Sequence, residues 1–592
     1  MQALFENPFF LIIIALVCLS LFYLFDGGSS KKRRLTVADW AKRQALVAST
    51  KKGIQQLRKK SLSKVCLWIG DYKLPDKKNR WLQRLQLLKL QLGWKPLTFL
   101  IPSCNPLIEV MGKSGSGKTY SVINPLVMSA IEQGHPILLY EAKADSQGKG
   151  GQMDFLITYA KKHGYEVNIL APGRPYSCTI NPLDFMKDYQ DATMAKIIGD
   201  TLHANLGGKN DKKDGFFGPA GARLVRACLQ FAKAQQQEHG VADLAMAFAV
   251  LSLSDLPKRL LEAKKQSKFP FWSQVPFEQL MSVADAAPTS GGILGGAMDL
   301  LESLLEPNLL KSYVGQTNTP LMLGKKQMLV MQTDTERMPV VNSLLATLIT
   351  LIINKNFSVE RDCPLIACFD EFPTLVLDPL PDWANRLRSK GLVLMLGYQE
   401  YNQIEKNYSK EDTAIIRGPA THKFLFNPGT FNTAEDLSKS LGQTETVVKN
   451  ISRSRNFGLN GGGSRSVSEQ VIQHNLMSPD EILNMTIGQC IYRGSEMVQK
   501  VVDPRTKKTK LTTRPLYPQR LPLPKNYDPI EQNCQNIFQT KLYPWFVKRF
   551  NNPHWNAESA LKFRQALANQ LLPNPQQEPP FPNSQPGVNF PI

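Results

Sequence analysis

The chain has 592 residues, 42 % of them apolar, and carries 71 Lys and Arg against 50 Asp and Glu, a net charge of +21. Such a length is a prior for roughly two to four domains with ample core, and such a charge points to polyanionic partners. Nine cysteines without any C-x-x-C pair argue against both a disulfide framework and a zinc site; Cys363 and Cys368, flanking an apolar run, read as small core residues.

Phe9 to Phe25 is a run of seventeen uncharged residues, preceded by Asn7-Pro8 and closed by Asp26-Gly27-Gly28. It is at the short end for a membrane-spanning helix. Glu6 without Lys or Arg before the run, and Leu16-Val17 before Cys18, argue against a secretory or lipoprotein leader. Lys31-Lys32-Arg33-Arg34 follows, so the positive-inside rule predicts an outward N-terminus and a cytoplasmic chain after residue 30. No other stretch reads as long and apolar enough to span. Residues 31–80 hold 16 Lys and Arg against three Asp, a net +13. That block suits nucleic acid or anionic lipid, and a solvated linker beside a membrane accounts for it equally. The chain is basic and helix-prone from about 35 to 95.

Gly112-Lys113-Ser114-Gly115-Ser116-Gly117-Lys118-Thr119 is a complete phosphate-binding loop, G-x-x-x-x-G-K-T. Its glycines let backbone N–H groups close around phosphates, Lys118 neutralises the β/γ charge, and the Thr119 hydroxyl is offered to Mg²⁺. Pro106–Val110 reads as the strand before it, and Thr119–Gln133 as the helix after it, closed by Gly134. A strand at Pro136–Tyr140, a helix around 152–163 and a strand at Glu166–Leu170 continue the alternation, which predicts a parallel sheet flanked by helices.

Residues 190–310 carry almost no strand signal. Helical apolar spacing at Gly218–Gln237, at Val241–Lys265 and around Ala297–Leu301 predicts an inserted all-α domain. Strand signals resume at Gln327–Met331, followed by a long helix at Pro339–Asn354 and the apolar run Leu365–Phe369. That run ends in Asp370-Glu371. Asp370 is expected to complete the metal shell from the next strand, and Glu371 to orient or deprotonate the attacking water. An adjacent glutamate favours motor ATPases with an additional strand over a GTPase or small-molecule kinase.

Gln399 lies just past a further strand, Leu392–Leu396, where a side-chain amide is placed to touch a γ-phosphate or water; a solvent-facing loop glutamine is the plainer alternative. Arg417 is a candidate finger toward a neighbouring subunit's phosphates, although a lone arginine after an apolar stretch is more often a surface charge. By composition, 455–468 reads as a flexible loop, as a surface hairpin or a channel-lining segment. Tyr543–Phe550, mixed aromatic and basic, is expected to pack on the ATPase body, and the Pro/Gln/Asn-rich tail from Pro573 to be disordered.

Several blocks together resemble the coupling proteins of type IV secretion and conjugation, the TraG/TraD-like class, over about residues 105–500. Asp370-Glu371-Phe372-Pro373 is similar to the family's extended acidic motif, and Gln399–Ile404 with Tyr408 to its glutamine-rich motif. Thr433–Ser438 with Leu441-Gly442, Asn181-Pro182-Leu183 and Leu476–Glu481 match further blocks. There are two departures: one N-terminal apolar run where the family commonly has two, and Glu141-Ala142-Lys143 where it usually has Asp-Pro-Lys.

The resemblance implies an α/β fold with a RecA-like phosphate-loop domain (96–189 and 311–515) and an inserted all-α domain (190–310). Flanking these are a transmembrane anchor (1–30), a basic membrane-proximal segment (31–95) and a C-terminal extension (516–592). It implies an ATP- and Mg²⁺-dependent homo-hexamer at the inner membrane that brings single-stranded DNA with its relaxase, or protein effectors, to a secretion channel. An FtsK-like duplex translocase and an effector receptor with only structural use of ATP are the alternatives.

Overall fold

The computed structural model describes residues 38–72, 80–94, 96–142, 153–206, 217–267, 270–455, 463–502 and 509–575. The apolar run Phe9–Phe25, the basic cluster 31–34, Lys143 and the tail from residue 576 lie outside the described residues.

In chain order the strands are β1 (Leu67–Gly70), β2 (Thr98–Ile101), β3 (Leu107–Met111), β4 (Ile137–Glu141), β5 (Glu166–Leu170), β6 (Gln327–Gln332), β7 (Leu365–Phe369) and β8 (Leu392–Tyr398). They continue with β9 (Ala420–Leu425), β10 (Gln443–Arg455), β11 (Gly463–Asn475), β12 (Gln489–Gly494), β13 (Val498–Val502), β14 (Thr509–Thr513) and β15 (Leu516–Arg520). The chain divides into two units, one built on Leu441–Leu476 and the other containing Trp40–Ser440 and Thr513 onward.

In the larger unit nine strands form one sheet in the order β15-β12-β9-β3-β8-β7-β4-β6-β5. The seven from β9 to β5 run parallel, whereas β12 and β15 are antiparallel additions at one edge. Strands β3, β4, β7 and β8 are buried along their whole length, so they read as apolar runs, broken only by Glu109 in β3 and by Glu141 at the end of β4, instead of alternating patterns. Strands β9, β12 and β15, with their mixed polar composition, give no such signal. The last of them, Leu516–Arg520, belongs to the sheet although the sequence assigns it to the C-terminal extension.

Helix Met338–Phe357 corrects one expectation: at 20 residues and a mean hydropathy of 1.5 it is long and apolar enough to cross a membrane. Instead it is a core helix, its side chains buried from Val341 to Ile353. Between Pro182 and Leu310 the described residues form helices only. The periodic stretch Val241–Lys265 is two helices, Leu244–Leu251 and Leu256–Lys265. Asp255, in the left-handed region at φ 53°, and Pro257 break it. Asn181 fastens the base of this insertion: its side chain caps Leu183 N at 3.0 Å and donates to the carbonyls of Ala242 (2.6 Å) and Gly315 (2.9 Å).

After β15, helices Tyr527–Ile537, Tyr543–Phe550 and Ala557–Leu571 pack back on the body. Trp545 lies under the Lys161 ammonium at 4.6 Å, and Arg549 reaches Glu166 at 3.9 Å. Farther along, Arg564 forms a buried ion pair with Asp243 of the insertion at 2.5 Å, and Arg259 donates to the Leu572 carbonyl at 2.7 Å.

In the smaller unit β10 and β11 pair antiparallel from Gln443↔Asn475 to Arg455↔Gly463. The segment 455–468 is therefore not a loop throughout, since 463–468 is strand and only 456–462 lies outside the described residues. The pairing bears out the hairpin reading of this stretch, since backbone hydrogen bonds form a ladder whatever the Gly/Ser content.

Candidate nucleotide site

The chain leaves the carboxyl end of β3 directly into the phosphate loop. A side chain at Gly112 would put its Cβ 2.5 Å from that of Phe426, and Gly115 and Gly117 adopt left-handed φ values of 72° and 96°. The loop is braced from two sides: Lys113 N donates to the Asn427 carbonyl at 2.8 Å, and Gly488 N donates to the Ser116 carbonyl at 2.9 Å. Lys118 is 4 % exposed, and its ammonium donates to the carbonyls of Gly112 and, at 3.3 Å, Lys113. The predicted helix from Thr119 starts instead as a π-helical turn, Thr119–Ile123, before the α-helix Asn124–Glu132. Such turns concentrate at functional sites.

Thr119 Oγ1 donates to Asp370 Oδ2 at 2.6 Å, joining the loop to the acidic pair. Strand β7, which carries Asp370, is not the next strand as expected: β8 lies between it and β3. Gly397 on β8 makes this packing possible, because a Cβ there would stand 2.6 Å from Asp370 Oδ1. Glu371 bends away from β7 in the left-handed region (φ 61°, ψ 41°), a strain that a non-glycine residue holds only when its surroundings enforce it. Gln399, at the end of β8, donates through Nε2 to both oxygens of Glu371 at 3.3 Å, and its backbone N–H is held by Gln403 Oε1 at 3.2 Å. A hydroxyl and a carboxylate are hard oxygen donors suited to Mg²⁺, and the close approach at Gly397 leaves room for them.

Arg417 lies elsewhere. Its Nε contacts the buried Glu109 of β3 at 3.1 Å, and its guanidinium stacks 3.5 Å over the Tyr401 ring. Lys423 reaches the other Glu109 oxygen, Oε2, at 2.8 Å, and the Tyr398 hydroxyl donates to Oε1, the oxygen that Arg417 contacts. Burial alone would raise the Glu109 pKa; Lys423 and Arg417 outweigh it and hold the carboxyl below its usual range. Within one chain, then, Arg417 is occupied as a partner of the loop-bearing strand.

Two cavities flank the loop. One, of about 530 Å³, is lined by Ser114, Glu371, Gln399, Gln403 and Lys406 among others. The other, about 700 Å³, runs along the loop itself to Ile487, Gly488, Arg520, Leu521 and Leu523. Sequence reading missed Gly397, although a glycine ending an apolar strand signals close approach. It also missed Ile487 and Arg520, which carry no local signal, and gave Gln403 no role although it stands in the glutamine-rich motif.

The fold and these side chains define a nucleotide-binding protein with a phosphate loop and an additional strand between the loop strand and the acidic strand. Residues 364–486 match the family profile described as the TraM recognition site of TraD and TraG. Over those residues the chain is similar to the TraG/TraD coupling-protein family, whose acidic and glutamine-rich motifs they contain. No curated protein matches the chain. Among solved structures it is similar to the bacterial conjugative coupling protein TrwBdeltaN70 in an unbound form, at 16 % identity and a TM-score of 0.49 over 72 % of this chain and 88 % of that one. TrwB in complex with ADP and Mg²⁺ is similar at 16 % identity and a TM-score of 0.46, over 70 % and 86 %. VirB4 of Thermoanaerobacter pseudethanolicus is similar at 14 % and 0.38, over 65 % and 85 %. At such TM-scores these likenesses add nothing to the topology described above.

Proposed function

We propose that this chain is an ATP-hydrolysing coupling protein, tethered to the inner membrane by Phe9–Phe25, that drives DNA with its attached relaxase to a type IV secretion or conjugation channel. The observation that carries the reading is the joining of Thr119 to Asp370 beside the Glu371–Gln399 contact. The loop amides and Lys118 bind the phosphates. Thr119 and Asp370 would hold Mg²⁺, which would supply charge neutralisation for the phosphates. Glu371 takes a proton from the attacking water, and Gln399, bound to that carboxylate, senses its state and passes it to the helix Tyr401–Asn407. The +13 block at 31–80 supplies charge for DNA phosphates or anionic lipid. Assembly as a homo-hexamer follows the family resemblance, and in a ring Arg417 would have to exchange Glu109 for a neighbour's phosphate.

The test is ATP hydrolysis by the full chain with and without single-stranded DNA at two salt concentrations. Stimulation that falls steeply with salt supports direct handling of DNA. A flat response, with activity still lost in Glu371→Gln, sinks the DNA reading and leaves a protein-receiving motor. One observation favours that second reading: Phe271 and Trp272 of the insertion are 66 % and 56 % exposed, their rings 5.3 Å apart, an apolar pair suited to protein cargo.

A further inference from the structure

The residues that follow Thr119 are held from outside the loop, by the start of the helix Tyr527–Ile537. The Tyr120 hydroxyl donates to the Asp528 carboxylate, and the Tyr120 ring meets that of Tyr527 edge-on, 4.8 Å between centroids. Tyr527 is buried, with the Asn124 side chain beside its hydroxyl. Asn124 N in turn donates to the Thr119 carbonyl, the hydrogen bond that closes the π-helical turn. We propose that Tyr527 and Asp528 are positioning residues of the nucleotide site: by gripping Tyr120 and Asn124 they fix the turn that aims the Thr119 hydroxyl at Asp370. The C-terminal helix thereby sets how tightly the site holds Mg²⁺ with its nucleotide. This rests on the ATP-binding reading above and on the assignment of Thr119 and Asp370 to the metal.

Three observations support it. A π-helical turn is a rare conformation that an isolated helix does not choose, so its surroundings must enforce it. Tyr527 and Asp528 meet this one at Tyr120, its second residue, and at Asn124, the residue that closes it. The gripping end is itself anchored to the body. Lys525 N donates to Asp71 Oδ2 at 2.9 Å, and the Tyr527 ring stands 5.7 Å from that of Phe155 on the helix Met153–Lys162. From the far end of the segment, Gln539 Nε2 donates to the buried Asp154 of that helix at 2.6 Å. Finally, neither Tyr527 nor Asp528 lines the two cavities beside the loop, although Tyr120 does. They act on the site only through the turn. Outer partners of this kind orient the groups that hold a metal and tune its affinity without touching it.

The experiment measures ATP binding to the full chain by calorimetry, with Mg²⁺ and with EDTA; the ratio of the two affinities is the metal's contribution. Tyr120→Phe and Tyr527→Phe each keep a ring and remove a hydroxyl, Asp528→Ala removes the acceptor, and Asp528→Asn restores an acceptor of the same shape. The first three are expected to cut the gain from Mg²⁺ by roughly five-fold or more and leave affinity in EDTA unchanged, while Asp528→Asn keeps most of the native gain. Tyr120→Phe with Asp528→Ala should lose no more than either alone, because both break one contact. Hydrogen exchange without nucleotide is the second readout: amides of residues 119–124 should exchange faster in the three variants, and those of β3 and Met153–Lys162 as in the native chain. Tyr120 is half-buried and Asp528 exposed, so their variants are expected to fold, which circular dichroism checks. A native gain from Mg²⁺ in Tyr120→Phe and Asp528→Ala overturns the proposal. So does a loss of equal size in EDTA, which marks contacts that only support the fold. Native ATP affinity that ignores Mg²⁺ refutes the metal assignment and the proposal with it, while no ATP binding at all refutes the ATP reading beneath both.

Discussion

Gly397 on β8 approaches Asp370 on β7 so closely that a β-carbon there would stand 2.6 Å from the carboxylate. The Asp370 carboxylate is thus positioned by the absence of a side chain on the neighbouring strand. Gly397→Ala should displace it and raise the Mg²⁺ concentration needed for half-maximal hydrolysis by roughly ten-fold or more. A magnesium titration of ATPase activity checks this; an unchanged requirement would show that Asp370 is not the metal carboxylate.

Lys118 and Glu371 should fail in different ways. Lys118→Ala removes phosphate charge compensation and is expected to weaken ATP binding itself. Glu371→Gln keeps the shape but loses the base, so ATP binding persists while kcat drops by roughly a hundred-fold or more. Gln399→Ala, which removes the contacts at 3.3 Å, should cut kcat by a smaller factor and leave binding intact. Equilibrium binding beside single-turnover hydrolysis separates the three.

The Arg564–Asp243 pair is 9 % and 1 % exposed in its side chains. Asp243 also caps Met246 N at 3.0 Å and accepts from Gly315 N at 3.2 Å. Arg564→Ala strands a buried carboxylate and should destabilise the body by about 3 kcal/mol or more. Urea unfolding followed by tryptophan fluorescence measures it; a shift within error would mean that water replaces the arginine.

His422 is buried on β9, with Nε2 3.1 Å from the Ser103 carbonyl and Nδ1 2.7 Å from the Tyr492 hydroxyl. A carbonyl only accepts, so Nε2 carries the proton and Nδ1 accepts from Tyr492. Burial pulls the His422 pKa down to about 4, despite the opposing carbonyls of Ser103 and Pro102. The unfolded chain protonates this side chain near pH ~6.5 while the folded one resists to about 4. Its contribution is therefore complete above the unfolded value, shrinks as pH falls between the two, and changes no further below. His135, lowered to about 4 by burial and then by Lys60, acts in the same sense. Melting temperature should fall between pH 7 and pH 5, and His422→Gln should flatten the slope. Glu109, with its lowered pKa, adds a loss at more acidic pH still.

The phosphate loop and the acidic pair were legible because their chemistry dictates residue types at fixed spacing, and the buried parallel strands because both faces demand apolar side chains. Strands β9, β12 and β15 were not, since a mixed edge leaves one face without that demand. The adjacent Glu371 pointed to an additional strand, but nothing local in Leu392–Tyr398 announces that this is the strand separating Asp370 from the loop strand. For Arg417 the sequence offered a charge without a partner, and Glu109, 308 positions earlier, could be supplied only by the fold. Ile487 and Arg520 were invisible for the same reason.

Asp243 and Arg564 are 321 positions apart in the chain. During synthesis the inserted helices emerge from the ribosome long before the arginine that completes them exists. Until Arg564 is made, Asp243 lacks the counter-ion that its buried place in the finished fold requires. The body thus cannot complete this buried pair until the helix Ala557–Leu571 has been made, so the insertion folds to its final stability only when a segment 321 positions away arrives.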